Sequence, residues 1–567
     1  MSISNSDILL SVSDLSVRFE NSGTTTVAVD DVSFDLRRGQ RLGIVGESGS
    51  GKSVTSLSIL NLLRTNPHNR HTGSILFYGD HGAQDLLAAE ESSLYKIRGR
   101  RISIVSQEPM STLNPVRRCG DQAKEVLEVH GIGEKNKRKD KIIKLFEQVS
   151  LPDVERIYDS YPHQLSGGQL QRVNIAMALA SDPDIIICDE PTTALDVTVQ
   201  SQIIDLLKDI VSSEDIALIF ISHDLDVVAD ICDSVVVMYK GKIVEKGSLP
   251  ETFTAPHHPY TKALLSCKPT KDNREKILPT VDMIIDDTYV PSQRQRISTE
   301  SKDKLIAVQN LSVHFPNRRT SIFGPKTYVK AVDDASFDIR QSEILGIVGE
   351  SGSGKSTVAN CLAGLIEPTK GSMMYKGKLL TKRSLGQDRK LRTSIQLVFQ
   401  DPYSSLNPKM TIGAAIKEPL RYHNIVTKDR LSEELDKLLH QVGLDDSYRE
   451  RYPHQLSGGQ RQRVCIARAL SVRPDLLICD ESVSALDVSV QAQILNLLDQ
   501  LRADLKLTIL FISHDLSVVH YLCDSVIVMK DGKIVERGSA TKVMLEPEHK
   551  YTKRLISSLP KPISQIF

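Results

Sequence analysis

Gly46-Glu47-Ser48-Gly49-Ser50-Gly51-Lys52-Ser53 is the stretch that decides the fold. It fits G-x-x-x-x-G-K-[ST], the loop that wraps the phosphates of a nucleotide. Arg41 to Val45 before it reads as a short buried strand, and Val54 to Leu63 after it as a helix with an apolar face. The motif needs that context, because the free N–H groups and dipole of the helix then point at an anion. Glycine lets the backbone close around a phosphate with no Cβ in the way. Lys52 is placed to reach the β- and γ-phosphates, and the Ser53 hydroxyl to bind Mg2+. One such match arises by chance in a chain this long with a probability of roughly 0.02. The same eight letters return at Gly349-Glu350-Ser351-Gly352-Ser353-Gly354-Lys355-Ser356, which dismisses coincidence.

Outward from the loop, the chain is a duplication. Tyr161-Pro-His-Gln-Leu-Ser-Gly-Gly-Gln169 returns at 452–460, Ile187-Cys-Asp-Glu190 at 478–481, and Phe220-Ile-Ser-His-Asp-Leu225 at 511–516. Lys52 to Lys355 is 303 residues, Gln107 to Gln400 is 293, and Asp189 to Asp480 and His223 to His514 are both 291. The first half therefore carries extra residues between its phosphate loop and Gln107, expected in a surface loop at Asp85 to Tyr95. The organisation expected is a first domain over 1–267, a linker over 268–304 and a second domain over 305–567. The linker has Pro269, Pro279 and Pro291 and reads as mobile, with one short ordered piece at Val281 to Ile285.

Composition sets the outer limits. The 567 residues are 40% hydrophobic and 25% charged, with Lys+Arg and Asp+Glu both at 71. A zero balance argues against a dominant nucleic-acid or anionic-membrane role. No run of 18 apolar residues suggests a transmembrane helix, and the start lacks the features of a signal peptide, so a cytoplasmic location is expected. Eight scattered cysteines without a CxxC pair read as buried, reduced thiols.

Within each half, apolar runs such as Asp184 to Cys188 and Ile216 to Ile221 alternate with helix-period segments such as Val199 to Val211. That pattern predicts an α/β fold: a mainly parallel sheet buried on both faces, wrapped by helices. Val235 to Met238 and Ile243 to Glu245 read as an antiparallel hairpin. Asp189 and Glu190 end one buried strand, where α/β proteins keep their sites. Asp189 is suited to hold Mg2+, and Glu190 to be the base that polarises a water. Asp480 and Glu481 repeat them. Gln107 and Gln400 follow strands, within reach of Mg2+ or the water, and His223 and His514 end strands within reach of a γ-phosphate. Leu165-Ser166-Gly167-Gly168-Gln169 starts another helix, a second anion site.

Together these motifs resemble the ATP-binding cassette (ABC) ATPases over nearly all of both halves. Leu-Ser-Gly-Gly-Gln, at 165–169 and 456–460, is that family's signature. The resemblance implies tandem P-loop domains, each with an antiparallel β subdomain and a helical subdomain. It implies two cassettes meeting head to tail as an intramolecular dimer, each ATP lying between one phosphate loop and the other signature. One site then joins Lys52, Ser53, Gln107, Asp189, Glu190 and His223 to the signature Ser457, Gly458, Gly459 and Gln460. The other joins Lys355, Ser356, Thr357, Gln400, Asp480, Glu481 and His514 to Ser166, Gly167, Gly168 and Gln169. Ala194 to Asp196 and Ala485 to Asp487 match the segment that links the sites. Phe19 and Phe315 stand where an aromatic ring stacks on adenine, with Tyr328 competing for that role. Departures are mild: Val54 stands for a usual Thr, and Ser482 for the proline found at Pro191. Both sites keep Glu and His, so both are expected to hydrolyse ATP.

Three features narrow the resemblance to the peptide and nickel importers. They are Gln107-Glu-Pro-Met-Ser-Thr-Leu-Asn-Pro115 with its copy at 400–408, the Tyr-Pro-His-Gln before each signature, and Ala255-Pro-His-His-Pro-Tyr-Thr-Lys-Ala-Leu-Leu265 with a worn copy at 547–553. Only Cys267 lies near that last segment, so no iron–sulfur cluster is expected. The implied partners are two transmembrane permease subunits and an extracytoplasmic substrate-binding protein, with no nucleic acid. The implied location is peripheral, on the cytoplasmic face of the plasma (inner) membrane. The alternatives are a soluble double cassette acting on ribosomes and a DNA-repair cassette protein; the proline-broken linker and missing zinc-type cysteine pairs argue against them.

Overall fold

The computed structural model describes residues 7–21, 24–66, 68–80, 82–193, 195–270, 273–294, 303–316, 328–484 and 486–567. Ala194 and Ala485, the start at 1–6 and the linker tail at 295–302 lie outside them. In the first half a six-stranded sheet runs in the order Lys242–Ser248, Ser234–Tyr239, Arg41–Val45, Ala217–Ser222, Ile185–Asp189, Ile102–Val105. All neighbours pair parallel except the first two, which form the antiparallel hairpin. A four-stranded antiparallel sheet packs against it: Thr24–Arg37, Ile8–Asn21, Asn69–Gly79 and Gly82–Asp85. The second half repeats both sheets in the same order.

The strands are continuous apolar runs because both faces are covered. Ile185, Ile187, Ile219 and Ile221 face the antiparallel sheet. Ile186, Cys188, Leu218 and Phe220 face the helices. This period-two division buries every residue of Ala217–Ser222, and each large aliphatic side chain so buried contributes about 1.5–3 kcal/mol. The helix-side core takes in residues of both halves, with Leu278 and Val281 of the intervening segment. A helical layer formed by Cys119–Val129, Arg138–Gln148 and Gly167–Leu179 extends from the sheet, Arg138–Gln148 burying Ile142, Leu145 and Phe146 on one face. All eight cysteines are buried and unbridged. No helix among the described residues is long and apolar enough to cross a membrane.

Three expectations need correction. The helix after the phosphate loop stops at Ile59, not Leu63. Asn61 takes a left-handed φ of 49°, and its amide donates to the Leu86 and Leu87 carbonyls at 2.9 and 3.3 Å. The extra residues of the first half are not one surface loop at Asp85 to Tyr95. Phe77 and Tyr375 hold equivalent places opposite Leu10 and Ile306; 25 residues separate Lys52 from Phe77 where 20 separate Lys355 from Tyr375. Half of the insertion therefore lies before Phe77, and the rest lies between Phe77 and Gln107, where the chain forms the short strand Gly82–Asp85 and helix Glu91–Leu94 and buries Leu86 and Leu94.

The third concerns the segment between the halves, which is docked. Lys268 Nζ lies 2.6 Å from Asp224 and 2.5 Å from Asp226 in the first half. Leu278 exchanges two hydrogen bonds with the Asn496 side chain, 3.2 and 2.8 Å. The Tyr521 hydroxyl donates to Lys276 O at 3.0 Å. Arg294 pairs with Asp499 at 2.6 Å, both side chains largely buried, and its guanidinium lies over the Tyr521 ring. The helix Val281–Ile285 sits within this docked stretch. Leaving a buried charge unpaired costs about 3–5 kcal/mol. Arg294→Ala is therefore expected to release the segment from the second half while both domains stay folded. Trypsin should then cut within 268–304 faster than in the wild type; equal rates would show that Arg294 does not hold the segment.

Candidate active site

Gly46, Gln107, Glu190 and His223 each stand just beyond the C-terminal end of a parallel strand, so the sheet delivers them to one edge. From Arg41–Val45 the chain turns through Gly46, Glu47, Ser48, Gly49, Ser50 and Gly51 into the helix Lys52–Ile59. Gly51 has φ 103°, and a Cβ there would lie 2.7 Å from Ala28 O; Gly354 has φ 102° and the corresponding approach to Ala331 O is 2.3 Å. Only glycine fits such positions. Lys52 Nζ donates to Gly46 O at 2.7 Å and Glu47 O at 2.9 Å, and Lys355 repeats both bonds to Gly349 and Glu350. Burial pushes both ammonium groups below their ordinary pKa, against the pull of neighbouring carboxylates. The Ser53 hydroxyl donates to Asp189 Oδ1 and the Ser356 hydroxyl to Asp480 Oδ1, each at 3.1 Å. Burial raises both aspartates, with the serine bonds opposing. A carboxylate and a hydroxyl at that spacing are the hard-oxygen donors that suit Mg2+.

Glu190 and Glu481 leave their strands in left-handed conformations, φ 47° and 46°. Strain of this kind costs about 1–3 kcal/mol and persists where the surroundings fix it. Here the Glu190 and Glu481 N–H groups donate to Ile221 O and Ile512 O at 3.0 and 2.9 Å. The Glu190 carboxylate accepts from Gln107 at 3.2 Å and Thr193 at 3.0 Å, and lies 3.2 Å from His223 Nδ1. Glu481 accepts from Gln400 at 2.9 Å, while His514 stands 3.6 Å away. The structure thus gathers all three predicted groups at each strand edge. It adds Thr193, which sequence reasoning missed. Ser484 takes its place in the second half but donates to the Glu481 backbone carbonyl.

Each signature serine caps its helix. Ser166 accepts from Gln169 N at 3.4 Å while Gln169 accepts from Ser166 N at 3.1 Å. Ser457 and Gln460 do the same at 3.3 and 3.0 Å. The signature glycines press on the segment that opens the next long helix. A Cβ on Gly168 would lie 2.5 Å from Val199, and one on Gly459 2.2 Å from Val490. That segment crosses to the other half. Asp487 accepts from Ser48 Oγ at 3.1 Å, and Asp196 from Ser351 N at 2.6 Å. Thr198 donates to Glu350 at 2.6 Å, and its counterpart Ser489 bonds the Glu47 carboxylate. Each signature helix is therefore one packing contact away from residues that touch the opposite phosphate loop. Phe19 is half-buried, while Phe315 and Tyr328 are both exposed on neighbouring strands.

Comparison with known proteins agrees with this geometry. The ABC transporter family matches residues 29–193 and 332–484. The chain belongs to the ABC transporter family. A second match, to the oligopeptide/dipeptide transporter C-terminal region, covers 244–285 and 535–565. The glutathione import ATP-binding protein GsiA of Pectobacterium atrosepticum is 42% identical over 557 residues, 97% of this chain and 89% of the relative. The peptidoglycan transport ATP-binding protein YejF of Agrobacterium fabrum is 43% identical over 559 residues, 98% and 97%. A dimeric ATP-binding cassette solved in a post-hydrolysis state with ADP and Pi is 27% identical over 41% of this chain and 98% of its own, TM-score 0.37. The chain is an ABC ATPase with two cassettes, which hydrolyses ATP.

The paired charges of the first cassette predict a pH dependence. Burial alone would lower His223, but the bond and charge of Glu190, with Asp487, carry it above its ordinary pKa. Burial would raise Glu190, and His223 and Lys52 bring it below its ordinary value. A raised histidine stabilises the fold fully below its unfolded value and loses that contribution as pH rises through the folded one. A depressed glutamate stabilises above its unfolded value and loses it as pH falls through the folded one. Both contributions are present between about pH 4.3 and 6.5. The melting-temperature difference between wild type and His223→Gln should therefore be larger at pH 5.5 than at pH 9. A difference that does not change, or grows, with pH would show that no charged pair exists. The longer 3.6 Å distance at His514 should make the effect of His514→Gln smaller.

Proposed function

We propose that the chain energises a peptide importer and that its two cassettes work as an intramolecular dimer around two ATP molecules. The observation that carries this is the reciprocal reach of Asp487 and Asp196 to the opposite phosphate loops. In this reading Lys52 and the Gly46 to Ser53 loop hold the phosphates from one side and Ser457 to Gln460 from the other. Lys355, its loop and Ser166 to Gln169 form the second site. Phe19, and Phe315 or Tyr328, stack on adenine. Ser53 and Asp189, and Ser356 and Asp480, would hold Mg2+, which would neutralise phosphate charge, with the Gln107 and Gln400 amides close by. Glu190 and Glu481 take a proton from the attacking water, and His223 and His514 hold the γ-phosphate.

Closure moves the surfaces beyond Gln107 and Gln400, where Met110, Val116 and Tyr403 expose apolar side chains. Such side chains suit docking on two membrane permeases, which places the chain on the inner face of the membrane, peripherally. Cargo choice then belongs to the permeases and an external binding protein. The relatives' names and the matched C-terminal region favour peptide import, and the ribosomal alternative has no support in them.

Glu190→Gln and Glu481→Gln, made singly and together, test the two-site mechanism. Each single variant is expected to lose at least half the ATP turnover, and the pair about 100-fold or more. Wild-type turnover in either single variant would mean that only the other site works. Uptake of peptides of graded length by a deletion strain tests the cargo: loss of uptake on deletion, restored by the gene, is expected. Unchanged uptake of every peptide would sink the assignment.

A further inference from the structure

The segment after each cassette's hairpin carries a hydroxyl that the ATPase chemistry does not use. Tyr260 and Tyr551 sit in the first turn of the helices Pro259–Ser266 and Lys550–Ser557. Each helix is capped by the histidine before it: His258 Nδ1 accepts from Tyr260 N, and His549 Nδ1 from Tyr551 N, both at 3.1 Å. Glu245 accepts from His257 N and His258 N, and Glu536 from Glu548 N and His549 N, fixing the turn into the helix. Both rings are buried, Tyr260 completely. Their hydroxyls accept from the backbone N–H of Glu47 and Glu350, at 2.9 and 3.0 Å.

The peptide unit that receives this bond is the one that holds the phosphate-loop lysine. A trans peptide is planar, with its C=O and N–H pointing opposite ways. The Gly46–Glu47 peptide takes Lys52 on its carbonyl, 2.7 Å, and Tyr260 on its N–H. The Gly349–Glu350 peptide takes Lys355 and Tyr551 in the same way. Phenylalanine would fill the same apolar space as tyrosine. Burying a hydroxyl without a partner costs free energy, so the bond to the loop is what the tyrosine adds over its ring.

We propose that Tyr260 and Tyr551 are positioning residues for ATP binding, each fixing from behind the peptide that orients the phosphate-loop lysine of its own cassette. Without the hydroxyl the peptide loses the bond on its N–H, and one of the two carbonyl acceptors of Lys52 or Lys355 is held less firmly. The carboxylates of Glu47 and Glu350 are meanwhile held by Ser489 and Thr198 of the opposite half. A single loop residue is thus gripped by its own C-terminal segment on its N–H and by the other cassette on its side chain. The His-Pro-Tyr segment gains a function inside the ATPase, separate from any contact with a permease.

Titration of the purified full chain with trinitrophenyl-ATP, a fluorescent ATP analogue, tests this. One hydrogen bond is worth about 3- to 10-fold in affinity. Tyr260→Phe is expected to weaken one of the two binding sites by that factor, Tyr551→Phe the other, and the double variant both. Leu264→Ala removes packing from the same helix without touching Glu47. It is expected to lower the melting temperature and leave affinity unchanged. Wild-type affinity in Tyr260→Phe and Tyr551→Phe would overturn the proposal, as would an equal loss in Leu264→Ala. Because the readout is binding, it stands apart from the transport assignment, which the uptake assay tests.

Discussion

Two aspartates carry the relation between the halves. Asp196 and Asp487 occupy the N-cap positions of the helices Val197–Glu214 and Val488–Leu505, yet neither side chain caps its own helix. A capping aspartate is worth about 1 kcal/mol to its helix. Here each carboxylate is turned to the opposite phosphate loop instead, accepting from Ser351 N or Ser48 Oγ. The sacrifice is local and the return is at the interface. It brings the start of each long helix, and the signature packed on it, beside the other nucleotide loop. A half that lacked its partner would leave that carboxylate without its Ser351 or Ser48 donor.

The two copies are alike at the phosphate loops and strand-end carboxylates and differ where the joining segment lies. Asn496, Asp499 and Tyr521 receive that segment in the second half, and Asp205, Lys208 and Asp230 stand at the corresponding positions of the first. There Lys208 and Asp230 simply pair with each other at 2.7 Å. The C-terminal end makes the reverse crossing more lightly, Ile563 N donating to Asp226 at 3.3 Å. Asp226 is already bound by Lys268, so one carboxylate in the first half meets both the joining segment and the C-terminal end. In the second half Ser517 and Leu559 stand at those two positions and no such knot forms. These contacts give the covalent connection between the halves a fixed route.

What could be read from the sequence was what short spacing or strict repetition encodes. The phosphate loops, the paired carboxylates and the two histidines each sit at a strand end, and the offset of 291 residues shared by the carboxylates and the histidines held those two to a common frame. Continuous apolar runs gave the buried strands. The extent of the helix after Lys52 did not follow, because Asn61 ends it through bonds to a segment 25 residues away. Docking of the joining segment was also hidden. Its prolines and charges have the composition of a mobile linker, and only the partners supplied by the second half leave the Arg294 side chain largely buried. Tyr260 was visible as part of a motif but not as a ligand of Glu47, 213 residues earlier. No periodicity links a hydroxyl to a backbone N–H at that distance.

Identical motif letters do not make identical sites. Glu190 is held by three side chains within 3.2 Å: Gln107, Thr193 and His223. Glu481 keeps one close donor, Gln400, and a histidine 3.6 Å away. Hydrogen bonds to the charged form of a carboxylate lower its pKa and fix its direction. The first site therefore favours a fixed orientation of Glu190, and the second leaves the Glu481 carboxylate more freedom to move. Part of the difference comes from one methyl-bearing hydroxyl. Thr193 turns its oxygen to the carboxylate, whereas Ser484 turns its own to the backbone. Chemistry set by the motif is shared between the cassettes; preorganisation is set by neighbours that lie outside it.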